Sequence, residues 1–306
     1  MAGVLIGFAI VGAVIFVGYL AGRFELAGRD AGSVLSRTAF FITNPALLFT
    51  ILATSDLEAV FSAFAPIALL AAVSSALVYV LLSRIWFRRR AAETAVGAMT
   101  SSFVNANNIG IPLAVYALGD ATPVAPVLLV QLLLLVPFYL GFLDIASGGK
   151  ASFTRIATQP VRNPMIIASL LGVLVALTGV EIPEPVYEPL VLLGGAAVPL
   201  VLLAFGMSLR GSRPLGARDV RTEVIVATLI KTLLMPLITY LLARFAFGLE
   251  GDQLFGAVVM ATLPTAQNTF LFASRYKRGI PLARDVVVLT SALSVPALIG
   301  VTALLA

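Results

Sequence analysis

Residues 99–119 read MTSSFVNANNIGIPLAVYALG. They sit inside a long apolar segment, yet Ser101, Ser102, Asn105, Asn107, Asn108, Gly110 and Pro112 crowd its middle. In hydrocarbon each backbone polar group must find an internal partner, and an unsatisfied one costs several kcal/mol. Asn, Gly and Pro together therefore predict a helix that breaks near mid-membrane. Such a break is stable only where protein or a water-filled cavity surrounds it. The first inference is a substrate site.

The rest of the chain has a membrane composition. Of its 306 residues, 60% are hydrophobic and 11% charged, and the mean hydropathy is +1.04. A soluble domain is about a quarter charged. The pI near 9.8 does not indicate nucleic acid, because the basic residues form short clusters between apolar spans. The chain has no Cys and no His, which removes thiolate chemistry, the commonest metal ligand and the usual neutral-pH acid/base group. An enzyme, a metal site and a cofactor are not expected. The N-terminus has no basic n-region and reads as a retained first span.

A span needs about 20 mostly apolar residues. Ten candidates follow: 2–22, 33–54, 59–83, 92–119, 123–145, 163–180, 187–209, 222–247, 252–278 and 282–305. The fold class is all-α and polytopic, and spans 4 and 9 are the interrupted ones. Eighteen of the 20 basic residues fall in the odd-numbered loops. The positive-inside rule makes those loops cytoplasmic and puts both termini outside. Arg88–Arg90 beside Trp86 reads as a topology anchor before a lipid headgroup site. Ser55–Glu58 reads as a capping box for span 3, and Asp120 with Pro123 as the start of span 5.

Five spans, the polar stretch 146–162 and five more spans suggest an internal repeat, 1–145 and 163–306. An odd number of spans makes the halves inverted. At an offset of 160, Ala106 meets Ala266, Asn107 meets Gln267, Asn108 meets Asn268, Tyr116 meets Tyr276 and Gly119 meets Gly279. Both copies lie in the interrupted spans, although Pro112 follows its Asn pair and Pro264 precedes its Gln-Asn. Paired interrupted spans in corresponding places point to a transporter's binding site.

The stretches NPALLF (44–49), NANNIGIPLAVYALGD (105–120), KTLLMP (231–236), PTAQNTFLFASRY (264–276) and VVLTSALSVP (287–296) resemble the auxin efflux carrier family. That family includes plant auxin exporters and bacterial carriers of malonate and related acids. The resemblance covers essentially the whole chain, without the large central loop of plant members. It is similar in architecture to the bile-acid:sodium symporters and sodium/proton antiporters. The resemblance implies ten helices in two inverted repeats, with helices 4 and 9 crossing as broken helices. It further implies a transport domain of helices 3–5 and 8–10 moving elevator-fashion on a scaffold of helices 1, 2, 6 and 7. A homodimer in the bacterial inner membrane is also suggested.

The residues have their own chemistry. A broken helix exposes the first N–H groups of its second half, with about half a positive charge from the macrodipole. Those halves are expected to begin near 109–112 in span 4, with Pro112 in its first turn, and near 267–269 in span 9. Two such ends converging favour a carboxylate. Asn105, Asn107, Asn108, Gln267 and Asn268 can donate to it, with Gly110, Pro264 and Thr265 shaping the breaks. Lys231 lies ten residues past Arg221, about 15 Å deep in a core of about 30 Å. It is either a counter-charge for an anion or a cap on helix C-terminal carbonyls. Pro236 is expected to kink its helix. Asn44 of span 2 and Gln131 of span 5 are further candidates for substrate contact, against a purely structural role. Gly194, Gly195 and Gly206 suit close helix packing.

No Asp or Glu falls at mid-span; Glu93, Asp144 and Glu223 lie near expected cytoplasmic ends. The bile-acid symporters carry an acidic residue before a comparable Gln-Asn, whereas Leu263-Pro264 stands here, which speaks against a sodium site. The expected function is secondary transport of a small mono- or dicarboxylate, with sodium and proton coupling both open. The alternatives are a sodium-coupled organic anion symporter, a channel, or a membrane sensor that moves nothing. Polar residues concentrated at one depth disfavour the channel.

Overall fold

The computed structural model describes residues 2–28, 30–54, 63–110, 124–147, 164–210 and 215–305. Its helices in order are α1 (Ala2–Arg23), α2 (Ala31–Ala53), α3 (Phe64–Phe87) and α4 (Ala91–Ser102). Then come α5 (Pro126–Ala146), α6 (Pro164–Thr178), α7 (Glu184–Met207) and α8 (Arg221–Ala246). The last are α9 (Gly251–Thr262), α10 (Asn268–Tyr276) and α11 (Ile280–Leu305). A single helical turn, Ala106–Gly110, follows α4. Every expected span overlaps a described helix. Six of them, α2, α3, α5, α7, α8 and α11, are long and apolar enough to cross a bilayer by themselves. The outer face is apolar, with Leu304 83% and Leu192 80% exposed. Such a face suits lipid. α3 starts at Phe64, five residues later than expected, and the Ser55–Glu58 capping box, Asp120 and Pro123 lie outside the described residues.

Prolines shape three spans in one way. A wide π-turn at Ala39–Thr43 precedes Pro45, one at Val130–Leu135 precedes Pro137, and one at Ile230–Leu234 precedes Pro236. Proline has no N–H, and its ring clashes with the carbonyl four residues back. Widening the preceding turn relieves that clash without breaking the helix. The three turns carry or adjoin Asn44, Gln131 and Lys231, and the distortion at Pro236, expected as a kink, takes the form of a widened turn.

Glycines set how closely two helix groups pack. A Cβ on Gly206 of α7 would overlap Ile15 O and lie 2.8 Å from Tyr19 N of α1, so backbone meets backbone there. Gly172 of α6 would place a Cβ 2.8 Å from Phe49 O of α2, and Gly194 one 2.9 Å from the Leu47 Cα. Small residues allow this approach in a membrane, where packing takes over from the hydrophobic effect. Gly195, expected to serve likewise, faces open space. α3, α4, α8, α9 and α11 pack among themselves on the other side. At the end of α8, Glu223 is 4% exposed and accepts from Arg89 Nε at 2.6 Å; this ion pair occupies a buried acid.

Candidate functional site

α4 and α9 are each 12 residues long, and both their starts and their ends differ by 160 in number. Each ends in an extended residue: Phe103 at φ −82°, ψ 137°, and Leu263 at φ −53°, ψ 148°. At Leu263 the cause is Pro264, which bars the preceding residue from helical ψ. At Phe103 no proline helps. There the last turn is loosened by hydroxyls returning to its own carbonyls: Thr100 and Ser101 to Gly97 O at 2.9 and 2.8 Å, and Ser102 to Ala98 O at 2.8 Å. Thr262 does the same to Val258 O at 2.7 Å. Such bonds bend and weaken helix ends.

The break in span 4 therefore falls at residues 103–105, and helical structure resumes at Ala106, a few residues before 109–112, where the second half was expected to begin. Its counterpart resumes at Asn268, as expected. The two breaks meet. Val104 and Thr265 form an antiparallel bridge, and Asn105 N donates to Pro264 O at 2.8 Å. Thr265 Oγ1 donates to Thr100 O at 2.7 Å.

Neighbouring helices satisfy what the bridge leaves over. Gln131 acts as a strand edge: its Oε1 accepts from Val104 N at 2.7 Å and its Nε2 donates to Val104 O at 2.9 Å. On the other copy Thr290 Oγ1 accepts from Thr265 N at 3.0 Å while donating to Val286 O at 2.8 Å. Lys231, fully buried, donates to Ala261 O and Leu263 O, both at 2.7 Å. Of its two readings, the geometry is that of a cap on the C-terminal end of α9, where the macrodipole is negative.

Asn44, Asn105, Gln131, Gln267 and Asn268 line one narrow cavity with Phe103, Leu48 and Ala266. Its volume is about 30 Å³, room for a water or two and not for a dicarboxylate. Among the described residues no charged side chain lines it. Asn44 is 5% exposed, and among the described residues its Nδ2 has no hydrogen-bond partner. An unmet buried donor costs about 1–3 kcal/mol, which a ligand or water in the cavity would recover. The start of α10 is less open than a bare helix end, because Thr269 N bonds Ala266 O at 3.1 Å and Phe270 N bonds Gln267 O at 3.0 Å.

The predicted residues thus divide. Asn44, Asn105, Gln131, Gln267 and Asn268 come together at the cavity. Thr265, Pro264 and Lys231 build the crossing behind it. Gly110 packs there too, since a Cβ on it would lie 3.0 Å from Leu263 Cδ1. Asn107 and Asn108 fall in the helical turn, and their side chains, like Pro112, lie outside the described residues. Thr100 and Thr290 were missed. The 160-residue offset pairs 130 with 290 and so places Thr290 beside the counterpart of Gln131, a signal that could have found it.

Comparison with known proteins agrees with this architecture. The family model described as membrane transport protein, Mem_trans, matches residues 4–302. The chain is 26% identical over 296 residues to a Rhizobium meliloti (strain 1021) protein named "Putative malonate transporter", covering 94% of this chain and 91% of that one. It is also 26% identical over 293 residues to an "Uncharacterized transporter" of Methanothermobacter thermautotrophicus, covering 93% of each. To the "Uncharacterized transporter YfdV" of Escherichia coli (strain K12) it is 24% identical over 276 residues, covering 86% of this chain and 85% of that one.

Proposed function

The chain belongs to the membrane transport protein family, whose members are auxin efflux carrier-like, and from that premise we propose that it is a secondary transporter of small carboxylate anions. Membership makes it a multi-pass membrane transporter and not an enzyme. The substrate class, the site and the movement are our reading. The observation that carries it is the crossing of two broken helices beside a buried cavity lined by amide side chains.

The anion is held without a formal charge in the cavity. Asn44, Asn105, Gln267 and Asn268 offer donors, and α10 points its N-terminus there. Lys231 contributes from behind. By neutralising the negative end of α9 it leaves the positive end of α10 uncompensated, so the field at the crossing favours an anion. The relative named for malonate supports a small dicarboxylate as the substrate.

The matched 12-residue helices and matched breaks support two inverted five-helix repeats over 1–145 and 163–306. The glycine-packed group α1, α2, α6 and α7 is the natural scaffold, and the remainder is the body that moves elevator-fashion. A cavity of about 30 Å³ then represents a closed stage of the cycle, which opening must enlarge. The clustering of basic residues in odd loops supports a cytoplasmic position for that face, with both termini outside an inner membrane.

The test is uptake of radiolabelled malonate by proteoliposomes. Wild-type protein moves it, and Asn268→Ala stops the movement while its melting temperature holds. Unimpaired uptake by an Asn44→Ala/Asn268→Ala protein would place the substrate elsewhere.

A further inference from the structure

A second cavity, of about 640 Å³, opens among the ends of α1, α2, α7 and α10. Arg37, Arg210 and Arg275 line it with Ser33, Ser36 and Ser274, and among the described residues no Asp or Glu does. Arg37 is on α2, Arg275 on α10 and Arg210 in the turn just past α7, so the chain fold and not local sequence gathers them. They have separate partners. Arg210 Nη2 bonds Glu25 Oε1 at 2.6 Å, which offsets its charge. The Arg275 guanidinium stacks 5.0 Å above the Phe40 ring. Among the described residues neither Arg37 nor Arg275 has a carboxylate partner. A stacked guanidinium keeps its in-plane N–H fork for an anion, which suits bidentate recognition of a carboxylate.

Aromatic rings line the cavity too. Phe40, Phe270 and Leu271 are among its lining residues. Phe40 meets Phe272 edge to face at 6.2 Å, and Phe270 meets Phe205 at 6.0 Å. On the same two helices, Asn44 lies four residues beyond Phe40, and Asn268 two residues before Phe270. Along α2 and α10, Phe40 and Phe270 therefore stand in chain order between the arginines of the basic cavity and the amides of the inner one.

We infer that the basic cavity is an anion-capture site distinct from the crossing, holding a small dicarboxylate between Arg37 and Arg275. Two guanidiniums without acidic partners match two carboxylates, so a monocarboxylate gains only half the contacts. The selection between di- and monoacids is made here, since among the described residues the inner cavity has no charged group to make it. The idea extends the transport reading, although binding at this site does not depend on it.

The test is equilibrium binding of radiolabelled malonate to full-length protein in nanodiscs, with acetate as competitor. In an Asn268→Ala background malonate still binds and acetate competes poorly. Adding Arg37→Gln and Arg275→Gln weakens malonate binding at least about tenfold, as expected for losing charge-assisted hydrogen bonds. The Arg37→Lys/Arg275→Lys protein keeps the charge but not the fork, and falls between the two. Malonate affinity unchanged by the glutamine pair, absence of binding in the Asn268→Ala protein, or acetate competing as well as malonate would each overturn the inference. Wild-type vesicles that take up no malonate, while the arginines still govern its binding, would sink the transport reading and leave this one standing.

Discussion

Replacing Lys231 by Met separates a helix cap from a substrate counter-charge. Met keeps the length and volume of the lysine stem, so no cavity opens in the fully buried site. What is lost is the pair of 2.7 Å bonds to Ala261 O and Leu263 O. Bonds from a charged donor contribute about 1.5–3 kcal/mol each, for a gross loss of about 3–6 kcal/mol. Against this, the protein no longer buries an ammonium, whose desolvation costs several kcal/mol. The remainder is two buried carbonyls without donors, and the net destabilisation is about 2–4 kcal/mol. For a chain of this size that lowers the melting temperature by about 5–10 °C. The assay is circular dichroism melting in detergent, with and without saturating malonate. The variant should melt early and still gain stability from malonate. A melting temperature within about 1 °C of wild type, with the malonate gain abolished, would refute the cap and make Lys231 a direct ligand.

Gln131→Leu should be as harmful as a core cavity despite its similar size, because Val104 N and O both lose their partner; about 2–4 kcal/mol of stability goes, read by the same melting assay, and a change under about 0.5 kcal/mol would deny its strand-edge role. Gly206→Ala should push α1 from α7, since backbone atoms Ile15 O and Tyr19 N cannot move aside as a side chain would. It should cost about 1–3 kcal/mol, whereas Gly195→Ala, with open space around it, should melt as wild type.

The all-helical, membrane-spanning character was legible, and six described helices are long and apolar enough to cross, because a bilayer imposes a coarse rule on sequence: long apolar runs bounded by charge. The pair of interrupted spans was legible too, because Asn, Gln, Gly and Pro have few other reasons to gather at that depth. Where the helix stops was not. Asn107-Asn108 and Pro112 drew attention to a second half beginning at 109–112, while it resumes at Ala106 after a break at Phe103–Asn105, where the hydroxyls of Thr100, Ser101 and Ser102 return to the helix's own carbonyls, a role the letters do not show. The π-turns at Asn44, Gln131 and Lys231 follow from prolines visible in the sequence, but the link emerges only when the backbone is traced.

The chain's letters alone settled a polytopic helical protein with two matched polar interruptions, since solvation penalties act residue by residue and need no fold to be evaluated. Which groups meet was decided by the tertiary structure. Lys231 is 30 residues from one carbonyl it caps, Gln131 is 27 from Val104, and Thr265 is 165 from Thr100. Lys231 as counter-charge or cap was undecidable from sequence, because both roles need a buried cation at the same depth. Only the direction of its ammonium, toward Ala261 O and Leu263 O, separates them. The gathering of Arg37, Arg210 and Arg275 around one cavity is likewise a product of helix packing: three residues that the sequence shows only as members of separate basic clusters share a chamber only when α2, α7 and α10 come together.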